Sequence, residues 1–195
     1  MSHFSPDLPH LNIILASKSP RRQSLLKELG LNFQVKTKDV DEVFPLHLKR
    51  EEIPLYLSQL KAQAFEDELT DSNLVITADT IVWVDEKVLN KPADYDDAVR
   101  MLQLLSGKMH EVFTGVCLKS KNKFISFSAL TKVYFKPLSL GEINYYVSNY
   151  KPYDKAGAYG AQEWIGYVAI EKIEGSHFNI MGLPLKELYE ELIKF

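Results

Sequence analysis

Between Leu74 and Val84 the chain carries a long apolar, β-prone stretch with one charged residue inside it, Asp79, in the triplet Ala78-Asp79-Thr80. Such a stretch reads as a strand. A carboxylate in apolar surroundings is costly unless it is paired, hydrogen-bonded or holding a metal, and perturbed carboxylates of this kind gather at functional sites. The segment therefore commits the chain to a sheet and makes Asp79 the leading catalytic candidate. The plainer reading is a strand-end aspartate capping a turn through Thr80.

The neighbouring signals alternate between strand and helix. Asn12 to Ala16 is a compact apolar run, and Ser19-Pro20 supplies an N-cap followed by proline at the first helical position, with Gly30 placed to stop the helix. Phe33 to Thr37 reads as a second strand. Glu51 to Leu69 reads as a helix in which Ile53, Leu57, Leu60 and Ala64 recur at helical spacing. The acidic run Asp39-Val40-Asp41-Glu42 lies in the loop between them. Asp94 to Leu105 is helical and closed by Gly107, and Glu111 to Leu118 with Phe124 to Phe135 form a hairpin around the polar turn Lys119 to Lys123. Ser139 and Glu142 form a capping box for a helix through about Asn149. A glycine-rich passage, Ala156 to Gly160, precedes a last strand region, Tyr167 to Ile173, and a final helix begins near Pro184. Interleaved helices and strands without repeats imply a mixed α/β protein around a central twisted sheet.

Bulk properties narrow the function classes. At 195 residues, 46% hydrophobic and 25% charged, the chain is expected to form a single globular domain spanning 1–195, with residues 1–10 as a short lead-in. A net charge of −3 argues against a general nucleic-acid binder, so any anion site is local. No apolar run approaches a membrane span and no secretory pattern opens the chain, so no membrane partner and a cytoplasmic location are expected. The single cysteine, Cys117, permits no intramolecular disulfide and reads as a small buried hydrophobe. His110 and His177 are too far apart to form a zinc site by spacing.

Three further groups can carry chemistry. Ser17-Lys18-Ser19-Pro20-Arg21-Arg22 sits where a strand ends and a helix begins, and a helix start with unpaired N–H groups and two forked guanidinium donors suits a phosphate. Cations in a first helical turn oppose the helix dipole, which counts against chance placement of Arg21 and Arg22. Glu42, Lys61 and Lys91 are bland singly and gain interest only beside Asp79. Lys155-Ala156-Gly157-Ala158-Tyr159-Gly160-Ala161-Gln162 lets backbone approach a ligand, and the Gln162 amide can read a base edge or a ribose hydroxyl, although an ordinary glycine-rich turn has the same composition.

Taken in order, these motifs resemble the Maf family of nucleotide pyrophosphatases. The resemblance runs from Leu15-Ala16-Ser17-Lys18-Ser19-Pro20-Arg21-Arg22 through Ala78-Asp79-Thr80, Asn90-Lys91-Pro92, Leu105-Ser106-Gly107 with His110, and Thr114-Gly115-Val116. It closes with Lys155 to Gln162 and Met181-Gly182-Leu183-Pro184, covering nearly the whole chain from Leu11. The resemblance implies a Maf/inosine-triphosphatase-like fold, a long bent mixed sheet flanked by helices with two lobes around a central cleft. It implies hydrolysis of a nucleoside triphosphate between its α and β phosphates with a divalent cation, Mg²⁺ or Mn²⁺. By the same match Asp79 is the proton acceptor, and Arg21, Thr80 and Gln162 are linked to substrate choice. Ser17, Arg22, Lys61 and Lys91 are phosphate contacts, and Glu42 with Asp79 holds the metal. Tyr159-Gly160-Ala161-Gln162 is similar to the subgroup acting on dTTP and UTP. The segment Gln162-Glu163-Trp164-Ile165-Gly166 departs from it where many relatives have smaller residues, leaving Trp164 to pack a base or fill the lobe. A homodimer is expected by resemblance alone. The alternative is a regulator of septum formation that holds a triphosphate without cleaving it.

Overall fold

The computed structural model describes residues 11–195, so the expected lead-in at 1–10 lies outside the described residues. In chain order it forms β1 (Asn12–Leu15), α1 (Pro20–Glu28), β2 (Phe33–Val35), α2 (Glu52–Gln63), β3 (Asn73–Val84) and β4 (Lys87–Leu89). There follow α3 (Tyr95–Leu105), β5 (Met109–Lys119), β6 (Phe124–Phe135), α4 (Leu140–Tyr150), α5 (Trp164–Ala169), β7 (Ile170–Glu174), α6 (His177–Ile180) and α7 (Leu185–Ile193). Six of the strands lie in the order β2-β1-β3-β5-β6-β7, and β4 pairs with β3. The sheet is mixed as expected: β1 runs parallel to β2 and β3, whereas β4 is antiparallel to β3 and β7 to β6.

The chain divides into two compact units, in keeping with two lobes. One comprises the described residues up to Asp79 with Thr114–Ala129 and Gly182–Phe195, and the other comprises Thr80–Phe113 and Leu130–Met181. The division falls inside β3, between Asp79 and Thr80.

Within the first unit, β1 and the first half of β3 form a buried parallel pair, with Ile13 opposite Leu74 and Leu15 opposite Ile76. The helix α2 lies close to β5 there. A Cβ at Gly115 would stand 2.3 Å from the Pro54 carbonyl oxygen, so this position of β5 accepts no side chain. Within the second unit, α3 buries Ala98, Met101, Leu102 and Leu105, an i, i+3, i+4, i+7 stripe, in a core shared with Val82, Val133, Tyr146 and Ile165. Each fully buried leucine there contributes roughly 1.5–3 kcal/mol relative to exposure.

The capping signals hold. Ser19 accepts from the Arg22 N–H with Pro20 at the first helical position, and the Ser139–Glu142 capping box is complete. Three sequence readings are revised, and one strand had gone unread. The helix expected over 51–69 ends at Gln63, followed by a 3-10 turn at Glu66–Glu68, because Phe65 turns into a small core with Ile14 and Val75. Ala62 takes a fully buried place on α2, while Leu60 and Ala64 are only half-buried. Tyr167 to Ala169 are helical and not strand, since the Glu163 carbonyl accepts the N–H groups of Gly166 and Tyr167 and starts a turn. The strand β4 was hidden because Asp85 and Glu86 form its turn at φ 48° and 57° without a glycine to announce it.

Candidate active site

The first group of side chains grows from the end of β1. Ala16 continues the ladder by donating its N–H to Ile76 O at 2.9 Å, after which the chain turns into α1. Ser17 is buried in this turn, its hydroxyl accepting the Ser19 N–H at 3.2 Å and its carbonyl accepting from Gln23 Nε2 at 3.2 Å. Arg22 is half-buried, and its Nε–H donates to Gly182 O at 2.8 Å, which ties the double-arginine helix start to the Met181-Gly182-Leu183-Pro184 segment. Burial pushes the Arg22 guanidinium below its ordinary range. Attraction to Asp79 and Glu42 works against that shift, and repulsion from Arg21 adds to it. Arg21 is half-buried on the same first turn.

The second group is assembled by the contact of α2 with β3. The Thr77 hydroxyl donates to Ser58 O at 2.6 Å in the interior, fixing how far along the strand the helix sits. One turn further on, Lys61 projects toward Asp79, and Nζ and Oδ1 lie 2.5 Å apart. The same ammonium lies 2.9 Å from Glu42 Oε1. The Asp79 side chain is 10% exposed and that of Glu42 46%, so one carboxylate is sheltered and the other faces solvent from its loop. Arg22 at the start of α1 and Asp79 thus attract one another electrostatically.

Among the described residues no group of three His, Cys, Asp or Glu side chains forms a metal cage. Glu42 and Asp79 nevertheless converge on a single cation, the Lys61 ammonium. Two hard carboxylates completed by phosphate oxygens and water are a donor set that suits Mg²⁺ or Mn²⁺. The residues present fit such an ion.

The second unit holds the remaining predicted positions. Thr80 is half-buried and follows Asp79 directly along β3, and Lys91 is exposed just beyond β4. Asn90 O accepts the Gly157 N–H at 3.1 Å, which joins the Asn90-Lys91-Pro92 segment to the glycine-rich turn. Gly157 takes φ 67°, and a Cβ there would meet Val82 Cγ2 at 2.8 Å. Gln162 is half-buried, with its carbonyl accepting the Tyr167 hydroxyl at 2.5 Å. Trp164 packs edge-on against Tyr145 with ring centroids 4.9 Å apart, so it fills the lobe against α4.

Three relationships had no local signal in the sequence. The Ser58–Thr77 bond, the Tyr146–Glu163–Lys155 cluster and the His110–Tyr159 contact each join residues distant along the chain. His110 Nε2 and the Tyr159 hydroxyl are 2.8 Å apart in the interior, and burial pushes the imidazole down to about 3, so it is neutral at physiological pH. Burial likewise pushes the Cys117 thiol up to about 12, in keeping with a packing role.

The sequence model of the family described as Maf-like protein matches residues 12–195. The chain belongs to the Maf family. Among its relatives is the dTTP/UTP pyrophosphatase of Flavobacterium johnsoniae, 51% identical over 95% of this chain and 95% of that protein. The dTTP/UTP pyrophosphatase of Phocaeicola vulgatus is 53% identical over 96% of this chain and 98% of its own length. That of Cytophaga hutchinsonii is 52% identical over 98% of this chain and 87% of its own. Among solved structures, the Ham1 protein of Staphylococcus aureus aligns with a TM-score of 0.44 at 13% identity, covering 64% of this Maf chain and 71% of that protein.

Proposed function

We propose that this Maf chain is a nucleoside triphosphate pyrophosphatase that hydrolyses dTTP, UTP or related modified nucleotides to the monophosphate and pyrophosphate, in the cytoplasm and with a divalent cation. The observation that carries the reading is the sheltered Asp79 carboxylate held by Lys61 beside Glu42, within the field of Arg22 at the start of α1. Relatives at about half identity over nearly the full chain are dTTP/UTP pyrophosphatases, which supports both the reaction and the pyrimidine preference.

A triphosphate carries up to about four negative charges, and dispersed cations with oriented N–H groups are what such an anion needs. Ser17, Arg22 and the first N–H groups of α1 bind phosphate oxygens, with Lys61 and Lys91 as further phosphate contacts. Arg21, Thr80 and Gln162 select the nucleotide. The Asp79 carboxylate accepts a proton from water as that water attacks the α-phosphorus, and the bond from the α-phosphorus to the bridging oxygen of the leaving pyrophosphate breaks. Glu42 and Asp79 would hold Mg²⁺ or Mn²⁺, which when bound would supply Lewis-acid charge withdrawal from the phosphates. No described helix is long and apolar enough to cross a membrane, which suits a substrate dissolved in the cytoplasm.

The test is a panel of common and modified triphosphates incubated with the purified protein and Mg²⁺, with products separated and identified. Monophosphate with pyrophosphate, formed fastest from dTTP and UTP, is the expected result. Diphosphate with orthophosphate, or triphosphate recovered intact, overturns the reading.

A further inference from the structure

The glycine-rich turn of the second unit encloses charge that the phosphate chemistry above does not use. The Lys155 side chain is 9% exposed and that of Glu163 20%, and their Nζ and Oε1 lie 3.0 Å apart. Asp154 Oδ1 takes the same ammonium at 2.7 Å. The other Glu163 oxygen, Oε2, accepts the Tyr146 hydroxyl of α4, and that hydroxyl accepts the Gly160 N–H at 3.0 Å. Burial first, and the Glu163 carboxylate second, hold the Tyr146 phenol well above its ordinary range, so it remains a donor. Gly160 carries no side chain because the carboxylate occupies that space: a Cβ there would stand 2.9 Å from Glu163 Oε2 and 3.1 Å from Lys155 Cε.

Gln162 lies between these fastened points. Gly160 is tied to Tyr146, Glu163 is tied to Tyr146 and Lys155, and the Gln162 carbonyl is held by Tyr167. None of the described residues hydrogen-bonds the Gln162 side-chain amide. Its backbone is fixed while its recognition group stays available. A buried ion pair adds little net stability over a well-packed apolar equivalent, and fixing one conformation is its better-attested use.

We infer that Glu163, acting with Tyr146 and Lys155, is a positioning residue that presents the Gln162 amide in one place and so sets the base preference of the enzyme. The inference rests on the reading above in which Gln162 selects the nucleotide. Small displacements of a recognition group are costly, because a shift of about 1 Å can forfeit about a hundredfold in rate.

The experiment compares wild type with Glu163→Gln, Tyr146→Phe, Gln162→Ala and the double variant Gln162→Ala/Glu163→Gln, measuring kcat and KM separately on dTTP, UTP, CTP and GTP. Calorimetric affinities for the same nucleotides on an Asp79→Asn background read the preference without turnover, so a failed pyrophosphatase reading and a failed positioning role are told apart. Glu163→Gln is expected to fold, since Asp154 still neutralises Lys155. It should reduce the preference for dTTP over GTP by about tenfold, through KM and affinity more than kcat, and change nothing further once Gln162 is alanine. Tyr146→Phe should reproduce the effect where it folds. Equal losses on all four bases, an unchanged affinity ratio, or effects that add in the double variant would overturn the inference.

Discussion

Lys61 Nζ stands 2.5 Å from Asp79 Oδ1 and 2.9 Å from Glu42 Oε1, so a single ammonium joins a sheltered carboxylate on β3 to an exposed one in the acidic loop. The charge required to hold two carboxylates together is supplied by the chain itself. A divalent cation arriving at the same pair meets a competitor.

Replacing that competitor gives the first prediction. Lys61→Met should tighten Mn²⁺ binding measured in the absence of nucleotide, because the carboxylates lose their resident cation, while turnover of dTTP falls for want of a phosphate contact. Titration calorimetry with Mn²⁺ alone reads the first effect. Weaker Mn²⁺ binding in the variant would contradict a shared site.

The contact that sets this geometry is the Thr77 hydroxyl on Ser58 O. Thr77→Val keeps the shape and removes the bond, and should cost about 1 kcal/mol of stability in denaturant unfolding. Turnover should fall beyond what the small stability loss explains, since Lys61 then loses its fixed register on Asp79. Unaltered kcat would show that the bond does not position the site.

Gly115 tests the close approach of β5 to α2. With the Pro54 carbonyl oxygen 2.3 Å from where a Cβ would stand, Gly115→Ala should destabilise the protein by about 2 kcal/mol or more, seen as a lowered Tm. A variant as stable as wild type would mean that the helix moves away at no cost.

His110 makes stability depend on pH. Its folded value of about 3 lies below the ordinary imidazole value of 6.5, so the unfolded chain binds the proton more readily in that window. Stability from this group is therefore complete above 6.5 and declines as pH falls toward 3, with a slope of up to about 1.4 kcal/mol per pH unit. His110→Gln, which can still bond the Tyr159 hydroxyl, should flatten the decline when urea unfolding is compared at pH 7 and pH 5. Identical pH dependence in both proteins would assign the decline to other groups.

What could be read from the sequence follows the range of the physics involved. The start of α1 was legible because Ser19, Pro20 and Arg22 act within one turn, and β3 with Asp79 because a charge inside an apolar run stands out. Lys61 and Asp79 entered separately through family resemblance, as a phosphate contact and a proton acceptor, and their pairing was not legible, since nothing in the sequence between them sets the distance from helix to strand. Glu163 was passed over in favour of Trp164 because its partners Tyr146 and Lys155 lie 17 and 8 residues away and share no period with it. The turn at Asp85 and Glu86 was hidden for a different reason: aspartate tolerates positive φ but glutamate seldom adopts it, and the strand pairing holds Glu86 there without a glycine.

The most direct test of the central claim is the rate of pyrophosphate release from dTTP by Asp79→Asn, with Mg²⁺ saturating and the fold checked by circular dichroism and Tm. The account predicts an intact fold and a loss of at least about a hundredfold in kcat, the scale for removing an acid–base group. Release at the wild-type rate would contradict it.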